Sequence, residues 1–227
     1  MEHRVLMAAT ESMATTLTNC IQCLAQHPDI QKRAYHEVSA KIGCQHRINW
    51  ETLRELHYTE AFIKETLRLN TPFPRFERVV KRDFQLCTDM YGPVLLPKGS
   101  IVSVLAVVVH TDPDYFPEPM IFNPDRFLPG HQHLITPKAF MPFANGPRMK
   151  SAFFQLKHLL AHLLLNYRIE YIDQTGNEST KDTLRNIAVY NIKFIKHCNI
   201  NNNCGEKCTE VKCAPDSIMN HFEDKAT

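Results

Sequence analysis

Glycine is scarce in this chain: seven residues in 227, well under the roughly 7% of ordinary usage. That excludes a collagen, a glycine-rich linker protein and a β-array built on glycine turns. A charge of one sign is missing as well. The 26 basic and 24 acidic residues leave a formal net charge of +2, and no basic stripe offers the footprint of a nucleic-acid binder. No run reaches the roughly 18 apolar residues needed to span a bilayer, and the apolar stretch Val5 to Ala9 is too short for a signal peptide. Paired metal knuckles are also lacking. Cys198, Cys204, Cys208 and Cys213 crowd near the end, with His197 and His221 beside them, but without the Cys-x-x-Cys spacing of most structural zinc sites. Cys20 and Cys23 have that spacing but fall inside a predicted helix with no preceding strand, and read as two buried thiols. His158 and His162 stand four apart on a predicted helix with no accompanying zincin signature, and read as partly buried.

What remains is a chain that is 44% hydrophobic and 22% charged, ample for a globular core. Helical spacing of Leu6, Ala9, Met13, Leu17, Ile21 and Leu24 predicts a helix over residues 5–26, which Pro28 interrupts. Pro28 suits the first turn of a second helix, and Gly43 can terminate it. Asn49 can cap a short helix at Trp50–Leu53, and a longer one is expected from Tyr58 to Asn70. Phe76 to Val80 and Ile101 to Leu105 read as strands, punctuated by Gly92-Pro93 and Pro97-Lys98-Gly99. Residues 111–147 hold eight of the 14 prolines and should form an irregular meander. A strongly apolar helix is expected over Met149–Asn166, followed by short strands to His197. Residues 198–227, rich in asparagine and cysteine, read as a disordered tail after a domain spanning 1–197.

Glu65-Thr66-Leu67-Arg68 sets a carboxylate and a guanidinium on one helix face, which by itself is a surface ion pair worth a few tenths of a kcal/mol. Glu51-Thr52-Leu53-Arg54 repeats the same four residues and serves as an internal control. Context separates the copies. The second is followed by Pro72 and Arg78, then by Asn123-Pro124-Asp125-Arg126-Phe127, then by Phe140-Met141-Pro142-Phe143-Ala144-Asn145-Gly146-Pro147-Arg148. In this order and spacing, the chain resembles the cytochrome P-450 superfamily of haem-thiolate monooxygenases, over about residues 5–197. Ala8-Ala9-Thr10-Glu11-Ser12 stands where that family carries its distal-helix motif, with Ala9 in place of a glycine. The stretch Lys64 to Asp83 looks most like the microsomal drug-, steroid- and thromboxane-type branch.

The resemblance implies a fold that is mainly α with a small β-sheet, the C-terminal part of the cytochrome P-450 fold. It implies that Glu65, Arg68 and Arg126 join in a buried ion-pair cluster. Arg78 and Arg148 would meet the propionates of haem b, and Phe143 would shield its proximal face. Glu11 and Ser12 would relay protons on the distal side. An intact relative would oxidise a lipophilic small molecule with O₂, drawing electrons from NADPH through a separate reductase, on the endoplasmic reticulum membrane. This chain has no anchor and would be cytoplasmic.

One requirement of the family is unmet. The axial ligand is a cysteine thiolate whose electron donation favours O–O cleavage. Two residues past Arg148, where it is expected, stands Lys150. Deleting an x-Cys-x-Gly segment from the family pattern brings Met149, Lys150, Ala152, Lys157 and Asn166-Tyr167 into register instead, and again leaves no cysteine. The expectation is a truncated, catalytically defective monooxygenase by lineage. The alternatives are a non-enzymatic haem-binding or interaction module, or the product of an expressed pseudogene or faulty transcript.

Overall fold

The computed structural model describes residues 2–42, 48–88, 90–131, 133, 135–143, 149–171, 192–197 and 211–212. Helix α1 (Glu2–Gln26) buries Thr16, Cys20, Cys23 and Leu24 along one stripe, as its apolar spacing requires. Pro28 opens α2 (Pro28–Ile42), where the missing N–H is no loss because the first helical amides lack partners anyway. Its buried face carries Ile30, Gln31, Ala34, Val38 and Ile42. Asn49 and Thr52 cap α3 (Trp50–Arg54) reciprocally: Asn49 Oδ1 accepts from the Thr52 amide at 2.8 Å, and Thr52 Oγ1 accepts from the Asn49 amide at 3.1 Å.

Helix α4 (His57–Leu69) begins at Leu56, a residue that cannot cap. Its first amides are satisfied from outside. The Glu37 carboxylate of α2 accepts from the Tyr58 amide at 2.7 Å, and from the Thr59 amide and hydroxyl at 2.8 Å each. A negative group also complements the positive end of the helix dipole there.

Strand β1 (Arg75–Val79) pairs antiparallel with β4 (Ile101–Leu105), and β2 (Phe84–Thr88) with β3 (Gly92–Leu96), as two separate ribbons. The β2–β3 hairpin was not among the expected strands. Gly92 and Pro93 are not punctuation but the first residues of β3: Gly92 takes a positive φ of 67°, open to glycine, and a two-stranded ribbon tolerates a proline that lacks an amide. Val107, Val108 and Val109, for which the sequence suggested no element, form a short helix, α5 (Ala106–His110). The meander follows, with a 3-10 turn at Pro124–Phe127, where the Asn123 side chain accepts from the Asp125 amide.

Helix α6 (Met149–Asn166) matches the expected bounds. Strand β5 (Tyr167–Tyr171) pairs with β6 (Ile192–Lys196), and β6 with a two-residue strand, β7 (Val211–Lys212). The rest of the segment expected to be a tail lies outside the described residues. Leu24, Val38, Phe62, Leu67, Leu156, Leu160 and Leu164 form one core shared by α1, α2, α4 and α6. Buried Gln31 ties β5 to it, donating to the Leu24 and Ile169 carbonyls and accepting from the Ile169 amide. A smaller cluster of Ala61, Phe116, Phe127 and Ala139 joins α4 to the meander. Among the described residues, no helix is long and apolar enough to cross a membrane.

Candidate functional site

The last turn of α4 points at the meander, and there Glu65 and Arg68 are both fully buried (0% side-chain exposure). The i, i+3 spacing lets the guanidinium fork onto the carboxylate: Nε meets Oε2 at 2.8 Å and Nη2 meets Oε1 at 2.8 Å. The remaining Arg68 nitrogen, Nη1, donates to the His110 carbonyl of α5 at 2.8 Å, and Nη2 also reaches the Ile121 carbonyl at 3.4 Å. Phe116 places its ring 5.3 Å from the guanidinium carbon.

Arg126 enters from the 3-10 turn. Its Nε donates to Glu65 Oε1 at 3.1 Å, and its other nitrogens donate to the carbonyls of Pro117, Glu118 and Ile121. The Asn123 amide donates to Glu65 Oε1 at 2.9 Å. One carboxylate thus faces two guanidiniums, and backbone carbonyls take up the excess donors. Charges this deeply buried are tolerable only when paired in this way. Glu118 holds a positive φ of 49°, strained for a residue with a side chain, and its carbonyl is among those Arg126 binds. The arrangement fastens the meander to α4. Every side-chain oxygen and nitrogen of the cluster already has a partner, which suits a structural task rather than acid–base chemistry.

The other expected site residues lie elsewhere. Glu11 is exposed on α1, and Ser12 is half-buried, its carbonyl accepting from the Thr16 hydroxyl at 2.7 Å. Arg78 is exposed on β1, with Nη1 on the carbonyl of its neighbour Glu77 at 2.7 Å. Phe143 is half-buried against the main core, edge-on to Phe73 at 6.4 Å and to Phe153 at 6.0 Å. Arg148 with its loop, 144–148, and the side chains of Ala9 and Lys150 lie outside the described residues. His158 and His162 stack edge-on at 4.9 Å, and no group of metal-capable side chains occurs among the described residues.

The described cysteines do not offer a thiolate where the resemblance places one. No cysteine occurs between Cys87 and Cys198. Cys20 and Cys23 are buried in α1, where burial pushes the Cys23 thiol up to about 12 and the Cys20 thiol upward as well, so both stay protonated. Cys87 is exposed on β2. None stands between Phe143 and α6, where the resemblance requires it.

Sequence reasoning missed His110 and Glu37. His110 ends a valine run with no spacing to mark it, and Glu37 is one of several charges on an amphipathic helix. Nothing local distinguishes either, because each acts on a segment distant in sequence.

Comparison with known proteins agrees with the cluster. A family model described as Cytochrome P450 matches residues 3–198. Cytochrome P450 3A31 of Mesocricetus auratus is 36% identical over 174 residues, 75% of this chain and 34% of that protein. Cytochrome P450 3A9 of Rattus norvegicus is 34% identical over the same shares. Lithocholate 6-beta-hydroxylase of Mesocricetus auratus is 32% identical over 76% of this chain and 34% of its own length. The chain spans about a third of the length of these curated relatives. With the buried cluster in place and the family model covering most of its length, the chain belongs to the cytochrome P450 family.

Proposed function

We propose that this chain is a cytochrome P450 scaffold that is catalytically defective as a monooxygenase. By lineage its reaction is the O₂- and NADPH-dependent oxidation of a lipophilic molecule, supplied with electrons by a reductase. The observation that carries the proposal is the absence of any cysteine from residue 88 to residue 197. A lysine ammonium at position 150 cannot donate electron density as a thiolate does. The buried Glu65–Arg68–Arg126 cluster supports the scaffold half of the reading, since it fastens the meander through protein groups alone. Arg78, Phe143 and Arg148 are the residues that would meet haem, and Glu11 and Ser12 those that would have relayed protons.

The test is a haemin titration of the recombinant 227-residue chain, followed by reduction under CO. The expected result is no thiolate-type Soret band. Such a band, with turnover in the presence of a reductase, would overturn the proposal. Stoichiometric haem uptake without that band would favour a non-enzymatic haem binder.

A further inference from the structure

His110, the last residue of α5, is fully buried (0% exposed). Its ring lies edge-on to Phe116 at 6.3 Å and tilted against Phe140 at 5.5 Å. The residue is bonded on two sides. Its carbonyl accepts from Arg68 Nη1 at 2.8 Å, and its ring Nε2 accepts from the Met141 amide at 3.0 Å. A backbone amide can only donate, so Nε2 must present its lone pair, and the proton of the neutral ring sits on Nδ1. Nδ1 is buried and makes no short hydrogen bond among the described residues, the Arg68 backbone lying only near enough to favour its proton weakly. A buried donor without a close acceptor is destabilising, and a phenylalanine would fill the same space without one. What imidazole adds here is therefore the acceptor at Nε2.

We propose that His110 is a positioning residue, a latch held in its Nδ1–H tautomer that ties the segment leading into the 144–148 loop to the Arg68 end of α4. One residue grips both sides, by its backbone and by its ring. A shift of Arg68 relative to Met141 must therefore stretch one of two short bonds. Among the described residues, the charged groups packed nearest come from α4: Arg68 and, through it, Glu65. The meander presents the rings of Phe116 and Phe140 and the Met141 amide. A protonated ring would turn an N–H toward Met141. Burial pushes the imidazole down to about 4, so the latch stays closed across neutral pH. The latch is independent of whether haem binds.

Nitrogen-15 spectra of the ring, with amide exchange at Met141, test the proposal in the whole chain. At neutral pH the expected result is an unprotonated Nε2 and a protected Met141 amide. His110→Phe should speed Met141 exchange roughly tenfold by removing one hydrogen bond. His110→Gln, whose side-chain carbonyl reaches about the place of Nε2, should restore protection. A space-filling role predicts the reverse order, with Phe the better substitute. A protonated Nε2 at neutral pH, or equal Met141 exchange in the wild type and His110→Phe, would overturn the latch. If His110→Phe does not fold, the wild-type tautomer decides alone.

Discussion

Glu-Thr-Leu-Arg occurs twice, fourteen residues apart, and both copies are helical. In both, the leucine is fully buried: Leu53 and Leu67 are each 0% exposed. The copies part at the charges. Glu51 and Arg54 stand exposed at the surface of a helix that ends at Arg54. Glu65 and Arg68 are sealed under the meander, sharing the cluster with Arg126, a carbonyl of α5 and an amide of the meander. The same four side chains make an ordinary helix face in one place and the fastening of a domain in the other. The meaning of the motif is supplied by what packs on it, which in this chain is contributed from 42 to 61 residues away.

Substitution separates the two copies most sharply. Arg68→Ala leaves the Glu65 carboxylate buried with one of its two guanidinium partners gone, and should cost about 3–5 kcal/mol in chemical denaturation. Loss of less than about 1 kcal/mol would mean that the cluster is not what holds the meander. Acid should come next, and should reach only the buried copy. The His110 pKa falls from 6.5 to about 4 on folding. Stability from this group is therefore complete above pH 6.5, where the ring is neutral in both states. It declines as pH drops toward 4, because the unfolded chain binds the proton first. The full difference is on the order of 3 kcal/mol, read as a midpoint shift between neutral and acid denaturation that His110→Gln reduces, the lowered His27 and His197 keeping part of it. Smallest is the exposed copy: Glu51→Gln and Arg54→Gln should each move stability by less than about 0.5 kcal/mol.

The comparison also marks how far sequence reasoning reached. Helix α6 and the cap on α3 were legible because their signals are local: an apolar run, and an asparagine before a short helix. Glu65, Arg68 and Arg126 were legible as a set only because a family pattern joined them; spacing alone could not tell Glu65 from Glu51. The valines before His110 gave no helical signal because β-branched residues favour strands, whereas here tertiary contacts coil them, with the Val107 amide on the Pro74 carbonyl at 3.3 Å. The β2–β3 hairpin was hidden by a glycine–proline pair that normally breaks strands. His110 left no trace in the pattern of its own segment, since its partners come from α4 and from the approach to the 144–148 loop.

The Glu37 carboxylate on the first amides of α4 bears on the order in which the molecule assembles. Glu37 lies 21 residues from Tyr58, whereas Glu65 and Arg126 are 61 apart. Closing the longer loop costs about 1 kcal/mol more in chain entropy. The start of α4 can therefore be seated by a short, early closure against α2, while its far end waits for the meander to return. The helix is then already in place as a template when Arg126 arrives.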